Sequence, residues 1–280
     1  MRIIKSKTVT DTVARLCIDA NCHLCTDVKG LLRQAVHEEK SPVGKEVLEN
    51  ILKNAEIAQT ETVAICQDTG MAVFFVEVGQ EVFISGDDLT TAINKGVAQG
   101  YTEGYLRKSV VRDPLERVNT GDNTPAVIYY DMVAGDKLKL TFAPKGFGSE
   151  NKSALKMLTP ADGVDGVVEF VLDTVKRAGP NPCPPMVVGV GIGGTMDKAA
   201  VLSKKALTRP VDSHHPNPVY QELEQTLLKK INRLGIGPQG MGGTTTALAV
   251  NIETYPTHIA GLPVAVNISC HVTRHASIVL

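Results

Sequence analysis

Tryptophan is absent from the 280-residue chain, and aromatic residues make up only 4% of it. This scarcity argues against stacking surfaces for bases or sugars, which proteins build from aromatic side chains. Neither sign of charge is in excess, because the chain has 29 basic and 30 acidic residues and a net charge of -1. Lysines are spread among acids, without a basic stripe, so the sequence predicts neither nucleic acid nor an anionic membrane as a partner.

Long apolar runs are missing as well. No uninterrupted run reaches the roughly 18 to 20 residues that a membrane span needs, and residues 1–7 lack the apolar core of a secretory signal. The six cysteines are too few for a disulfide framework. We therefore expect a cytoplasmic protein whose thiols are free for metal binding or chemistry.

Apolar residues at three-four spacing predict helices over residues 10–59, one of which begins at Pro42. A helix over 87–106 would deliver Arg107 at its end. Two β-hairpins are predicted, 71–78 with 81–84 and 126–133 with 137–142. Further helices are predicted at 164–178, 195–206 and 218–234, and strands at 186–192, 245–253 and 263–269. The sequence has no linker or repeat, so we expect one α+β (mixed α/β) domain over residues 1–280.

The richest stretch in chemistry is residues 65–70, Ile-Cys-Gln-Asp-Thr-Gly, directly before an apolar strand. It places Cys66, Gln67 and Asp68 side by side. Two other cysteines lie where the backbone is similarly restricted, Cys183 between prolines and Cys270 after Asn-Ile-Ser. We hypothesise that these three thiolates hold one iron-sulfur cluster.

A different set of cysteines has the C-x4-C-x2-C spacing of plant-type ferredoxins, namely Cys17, Cys22 and Cys25. The apolar residues around them predict a helix packed on a core, whereas ferredoxin ligands lie on a loop. We interpret these cysteines as small buried hydrophobes. The alternatives are a zinc site or a cluster for electron transfer or sensing.

Two glycine-rich stretches invite a nucleotide interpretation. Gly189-x-Gly191-x-x-Gly194 matches the dinucleotide fingerprint, but no acidic residue ends a following strand about 20 residues later. We interpret these glycines as permitting close approach of the backbone to a cluster or substrate. Residues 235–244 lack the lysine of a phosphate loop, and form either a tight connection or a loop that faces a site.

Taken together, the motifs of this sequence resemble the class I (iron-sulfur) fumarate hydratases, in the separate α subunit of the two-subunit form. The resemblance covers nearly the whole chain, and the sister α subunit of L-tartrate dehydratase shares much of it. The motifs are Cys66–Gly70, Tyr105–Ser109, Asn119–Thr124, Gly146–Lys152, Asn181–Pro185, His215–Pro218 and Gly237–Gly240.

The resemblance implies a fold like the N-terminal domain of these enzymes and a 4Fe-4S cluster on three cysteines, with hydration of fumarate to L-malate as in the tricarboxylic acid cycle. It implies a substrate site in which catalytic and binding residues surround a dicarboxylate. The implied metal ligands are Cys66, Cys183 and Cys270; the implied catalytic residues are Asp68 and His258, and the implied substrate-binding residues are Gln67, Arg107 and Gly148.

For two of these residues the sequence also supports a structural role. Asp68 precedes Thr-Gly and is suited to capping a turn, and His258 lies beside Ile-Ala as a structural histidine would. In the family pattern His258 comes from a neighbouring protomer. Single-chain members continue into a second domain with further substrate-binding groups, so the resemblance also implies a separate β subunit, most simply in an α2β2 assembly.

Overall fold

Two compact units make up the computed structural model, which describes all residues from 1 to 280. Unit 1 comprises Met1–Leu24, Ala55–Phe147 and Arg274–Leu280, and unit 2 comprises Cys25–Asn54 and Gly148–Thr273. Each unit has its own cluster of buried apolar residues. A single domain over residues 1–280 stays a prediction.

In chain order the elements are β1 (Arg2–Lys5), α1 (Ser6–Cys22), α2 (Thr26–Glu38), α3 (Pro42–Glu61), β2 (Met71–Gly79), β3 (Val82–Ser85), α4 (Leu89–Glu103), β4 (Val127–Val133), β5 (Leu138–Lys145), α5 (Phe147–Glu150), β6 (Ala154–Leu158), α6 (Gly163–Ala178), β7 (Met186–Gly193), α7 (Met196–Ala206), α8 (Pro218–Asn232), β8 (Ala247–Tyr255), β9 (Leu262–Ser269) and β10 (Ala276–Val279). The mixture of helices and sheets confirms the predicted α+β class. None of the helices has the length and apolar character needed to cross a bilayer.

Unit 1 is built on a four-stranded sheet in the order β10-β5-β2-β4. Its central strand β2 is antiparallel to β5 and parallel to β4. Phe74 of β2 stands opposite Phe142 of β5 with ring centroids 5.0 Å apart, and both are fully buried. Helices α1 and α4 cross closely beside this core, because a Cβ on Gly96 would lie 2.6 Å from the Thr10 carbonyl oxygen.

Both predicted hairpins are wrong in their strand pairing. β2 and β3 do not pair with each other, since β3 pairs with β1 in parallel. β4 and β5 do not pair either, because they lie on opposite sides of β2. β2 is apolar and mostly buried, so it needs a neighbour on each side. That requirement outweighs the short connection that favoured local hairpins.

Unit 2 is built on a sheet in the order β6-β9-β7-β8, in which β7 is parallel to β8 and antiparallel to β9. All eight residues of β7 are buried. Alternate residues such as Val188 and Val190 pack into the core shared with α6 and α8. The residues between them include Gly189 and Gly191, which face α7. β7 is therefore covered on both faces.

Candidate active site

The segment Cys66–Gly70 links α3 to β2 in unit 1 and carries a set of close polar contacts. The Asp68 backbone N–H lies 3.5 Å from the Cys66 Sγ, and the Cys66 thiol lies 3.3 Å from the Gln67 Oε1. Gly70 has φ +74°, and a Cβ there would lie 2.7 Å from the Lys145 backbone nitrogen. Only glycine allows this approach to β5, so the end of the segment is fixed against the sheet.

Asp68 uses both carboxylate oxygens on main-chain donors. Its Oδ1 accepts the Gly70 N–H at 3.0 Å, and its Oδ2 accepts the Phe147 N–H at 2.9 Å. The predicted turn-capping role is thus present in the structure. A catalytic role for Asp68 stays a prediction.

Arg107 is held beside this segment through its backbone. The Thr69 hydroxyl accepts the Arg107 N–H at 3.0 Å and lies 3.2 Å from the Arg107 carbonyl oxygen. The Arg107 side chain is exposed, and no hydrogen bond or ion pair holds its guanidinium. A planar guanidinium without a protein partner is suited to a carboxylate in two-point contact.

Two further residues complete this scaffold, and the sequence analysis did not single them out. The buried Tyr101 hydroxyl donates to the carbonyl oxygens of Thr69 at 2.8 Å and Gly70 at 3.1 Å. Asn123, also buried and with φ +64°, donates to the Gly70 carbonyl and accepts the Ser109 N–H at 2.7 Å. An asparagine before Thr-Pro was the available signal for a left-handed residue, whereas Tyr101 looks like an ordinary core residue.

In unit 2, the backbone of Cys183 is hydrogen-bonded to His271, the residue that follows Cys270. The His271 N–H donates to the Cys183 carbonyl oxygen at 3.2 Å, and the His271 Nδ1 lies 3.0 Å from the same oxygen. Cys183 precedes β7 and Cys270 follows β9, and these antiparallel strands bring both cysteines to one edge of the sheet. Cys183 is exposed and has φ +54°, a strained value for a non-glycine residue that is common at functional sites.

The glycine-rich stretch 235–244 contacts this cysteine segment. The Gln239 backbone N–H and its side-chain Nε2 both donate to the Pro184 carbonyl oxygen, each at 2.8 Å. A Cβ on Gly240 would lie 2.3 Å from the Pro180 Cβ. The stretch connects α8 to β8 and lies against the Cys183 segment, and its role as a loop that faces a site stays a prediction.

His258 lies at the other edge of the same sheet. It follows β8, whose last residue Tyr255 pairs with Gly193 at the end of β7, whereas Cys183 precedes the start of β7. A rise of about 3.3 Å per residue over the eight residues of β7 puts the two edges roughly 25 Å apart. His258 is exposed and its Nδ1 accepts the Ala260 N–H at 3.2 Å. Within one copy of unit 2, His258 is thus far from Cys183.

Gly148 is exposed, and a Cβ there would have only the Asn181 carbonyl oxygen nearby, at 3.8 Å. Backbone packing in unit 2 therefore does not explain the glycine. The neighbouring Glu150 forms an ion pair with Lys204 and accepts the Asn267 Nδ2 at 3.0 Å. These contacts hold Glu150, and with it the short helix α5, against α7 and β9.

The glycines of the dinucleotide-like motif have a packing role. A Cβ on Gly189 or on Gly191 would lie 2.1 Å from a carbonyl oxygen of α7, that of Ser203 or Ala199. Our interpretation of them as making room for a cluster or substrate is wrong for these two positions. They allow α7 to lie directly on β7.

The ferredoxin-like cysteines differ from the others in their surroundings. Cys17 and Cys22 are buried in α1, as the helical interpretation predicted, and Cys25 precedes α2. Burial raises the pKa of the Cys17 thiol, and it is also the largest cause of the raised pKa of Cys22. Both thiols are therefore neutral at physiological pH.

The three cysteines implied as ligands are more accessible than the two cysteines of α1. Cys66, Cys183 and Cys270 form no disulfide and are partly or fully exposed, whereas Cys17 and Cys22 are buried. Thiolates are soft ligands suited to iron-sulfur clusters, and N–H···S contacts such as that at Cys66 are a usual means of tuning them. No group of three or more His, Cys, Asp or Glu side chains is placed to hold a single metal ion. A cluster differs from such a site, since each thiolate binds a different iron.

Comparison with known proteins gives the family. The model of the fumarate hydratase (Fumerase) family matches residues 10–279. A Methanocaldococcus jannaschii protein, provisionally named L(+)-tartrate dehydratase subunit alpha, is 43% identical over 274 residues, covering 96% of each chain. The L(+)-tartrate dehydratase subunit alpha of Escherichia coli strain K12 is 34% identical over 276 residues, covering 97% of this chain and 90% of its own. The chain therefore belongs to the fumarate hydratase (Fumerase) family and is a hydro-lyase.

Proposed function

We propose that the chain is the α subunit of an iron-sulfur hydro-lyase that acts on a four-carbon dicarboxylate. The observation that carries this proposal is the Thr69 hydroxyl, which bonds to both backbone groups of Arg107. This contact holds the backbone of Arg107, whose guanidinium has no protein partner, beside the residue that follows Cys66–Asp68. A carboxylate-binding group beside a candidate cluster ligand is what a dehydration at a carbon next to a carboxylate requires.

The proposed cluster ligands are Cys66, Cys183 and Cys270. When bound, a cluster on three thiolates supplies one open iron as a Lewis acid for a hydroxyl and a carboxylate. Arg107 binds a substrate carboxylate through its guanidinium.

Gln67 orients the substrate with its exposed amide. Asp68 donates a proton to the leaving hydroxyl or orients that hydroxyl. Gly148 leaves room for the substrate, because no side chain occupies the space beside it. His258 acts in the site of a second copy, which agrees with its distance from Cys183 along β7.

Two substrates remain candidates. Fumarate and L-malate are favoured by the description of the matching family and by the motifs of the sequence. L(+)-tartrate, whose dehydration gives oxaloacetate, is favoured by the names of the relatives. L-malate and L(+)-tartrate both present two carboxylates and at least one hydroxyl, so the groups of this chain suit either one.

The β subunit is the proposed partner, in an α2β2 assembly. The relatives are named as alpha subunits, which supports a separate chain for the remaining substrate contacts. A cytoplasmic location is proposed as well, since none of the six cysteines forms a disulfide.

The test is anaerobic reconstitution of the chain with iron and sulfide, in the wild type and with each cysteine changed to serine. We expect Cys66→Ser, Cys183→Ser and Cys270→Ser to lose the visible absorbance and the spin-resonance signal of the cluster. Cys17→Ser, Cys22→Ser and Cys25→Ser are the matched controls and should keep both. A cluster that depends on the control cysteines would instead favour an electron-transfer or sensing module.

The substrate is tested with the reconstituted chain combined with its β subunit. Turnover is compared on L-malate, fumarate and L(+)-tartrate under the same anaerobic conditions. A kcat/KM higher on one of these substrates identifies it, and no turnover on any of them would contradict the proposed function.

A further inference from the structure

Arg274 is a buried cation without an acidic partner. Only 5% of its surface is exposed, and it forms no ion pair with a carboxylate. Its Nη2 donates to the Asp68 carbonyl oxygen at 2.8 Å, while its Nε and Nη1 have no hydrogen-bond partner. A buried charge is costly unless it is paired or used, so the residue requires an explanation.

The groups around Arg274 do not neutralise it. Cys22 and Tyr101 are close enough for Arg274 to lower their pKa values, yet burial raises both above their usual range. Both side chains are therefore neutral at physiological pH. The carboxylate of Asp68, which also acts on Tyr101, is already bonded to the N–H groups of Gly70 and Phe147. The guanidinium thus acts on the main chain of Asp68 and not on its carboxylate.

With this bond, every polar group of Asp68 has a hydrogen-bond partner. Its carbonyl oxygen accepts from Arg274, its carboxylate accepts two N–H groups, and its own N–H points at the Cys66 Sγ. The charged donor makes the bond from Arg274 the strong member of this set. Arg274 follows Cys270 by four residues in the sequence, and the candidate motifs end before it.

We propose that Arg274 is a positioning residue, whose guanidinium fixes the Asp68 carbonyl and thereby holds Gln67 and Asp68 in the orientation that the reaction uses. The inference rests on the proposed function for what these two side chains do. It does not require Arg274 to touch substrate. It explains why a charged donor is kept in the interior of unit 1, where an apolar side chain of similar volume would avoid the cost of burial.

The experiment uses the full chain with Arg274→Met, which removes the charge and keeps most of the volume. Arg15→Met is the matched control, because Arg15 is an exposed residue of α1 in the same unit. Hydrogen exchange is measured at the amides of residues 66–70 and at those of β2. We expect exchange in 66–70 to rise about tenfold, the factor for loss of one charge-assisted hydrogen bond, with β2 and the thermal midpoint unchanged. Arg274→Lys, which keeps the charge, should recover part of the protection.

Turnover of the same variants is measured with the β subunit present. We expect Arg274→Met to lower kcat about tenfold with a smaller change in KM, because groups that act in the transition state are misplaced. Unchanged exchange at 66–70, or an equal rise throughout unit 1, would overturn the positioning role. Looser exchange with unchanged kcat would overturn it too. If the wild type shows no turnover, the proposed function fails, while the exchange result still decides whether Arg274 holds the segment.

Discussion

Both carboxylate oxygens of Glu39 accept the backbone N–H of Thr244, each at 2.9 Å, although the two residues are 205 positions apart. The same carboxylate accepts N–H groups from Lys40 at 2.8 Å and Thr245 at 2.8 Å, and it is 1% exposed. A Cβ on Gly243 would lie 2.7 Å from its Oε1, so a glycine leaves the space that the carboxylate fills. Glu39 therefore anchors the end of the loop that contacts the Cys183 segment.

This anchor makes the stability of unit 2 depend on pH. Burial opposes ionisation of Glu39, but its hydrogen bonds outweigh burial and lower its pKa from 4.5 to about 2. Ionised Glu39 stabilises the folded state at any pH above its pKa in the unfolded chain. This stabilisation is lost as the pH falls through the folded-state pKa of about 2. The shift in pKa corresponds to a contribution from Glu39 on the order of 3 kcal/mol to the free energy of unfolding.

We therefore expect Glu39→Gln to lower the free energy of unfolding at pH 7 by about 3 kcal/mol, with the difference from the wild type vanishing near pH 2. Urea unfolding between pH 2 and pH 7 measures it. Glu38→Gln, on an exposed neighbour, is the control. A difference that does not change with pH would show that the charge of Glu39 is not what stabilises the loop.

Cys183→Gly should separate stability from cluster binding. Cys183 has φ +54°, which glycine adopts without strain. With both proteins free of cluster, the free energy of unfolding of the variant should therefore be about 1 kcal/mol higher than that of the wild type. Cluster absorbance should disappear because the thiol is gone. Cys270→Gly loses the cluster without relief of strain, since Cys270 is not in the left-handed region. Lower stability of Cys183→Gly than of the wild type would contradict the prediction.

Tyr101→Phe tests the scaffold under the Cys66–Gly70 segment. Burial raises the pKa of Tyr101, so its hydroxyl stays a donor, and removing it leaves the carbonyls of Thr69 and Gly70 without this bond. We expect a loss of about 1 to 3 kcal/mol in the free energy of unfolding, together with lower turnover. Tyr130→Phe, on an exposed tyrosine that is hydrogen-bonded to Thr90, should lose much less. An equal loss in the free energy of unfolding in both variants would show that the Tyr101 hydrogen bonds stabilise the fold no more than an exposed one does.

Two glycine substitutions with opposite outcomes test packing against function. Gly189→Ala should destabilise the fold by about 3 kcal/mol or more, because its Cβ would lie 2.1 Å from the Ser203 carbonyl oxygen. Gly148→Ala should leave the thermal midpoint unchanged, since its Cβ meets nothing closer than 3.8 Å in unit 2. If Gly148 faces the substrate, KM should rise in that variant. An unchanged KM would remove Gly148 from the proposed site.

Complementation tests whether His258 acts in a second copy. Cys183→Ser and His258→Asn chains should each be inactive with the β subunit. Unfolded and refolded together in equal amounts, they should regain about a quarter of wild-type activity, because half of the α pairs are mixed and each mixed pair has one intact site. No recovery would place His258 in the site of its own chain, and an active His258→Asn chain would place it outside any site.

The sequence predicted many of the local elements but not all of the strand pairings. Helix α3 begins at Pro42 and β7 is buried throughout, as their patterns indicated. The hairpins failed because β2 takes β4 and β5 as its two neighbours, a choice made by packing and not by turn length. Likewise Gly189 and Gly191 have the spacing of a nucleotide motif, but only the position of α7 shows that they serve helix packing.

By itself the sequence determined the family, the helical periodicities and the candidate groups for chemistry, since these depend on residue types and spacing along the chain. The tertiary structure decided which groups bond to one another. It assigned the Asp68 carboxylate to two backbone N–H groups, linked His271 to the Cys183 carbonyl, and buried Arg274 against Asp68. Hydrogen bonds between residues far apart in sequence follow from how strands and helices pack, and no local pattern contains that information.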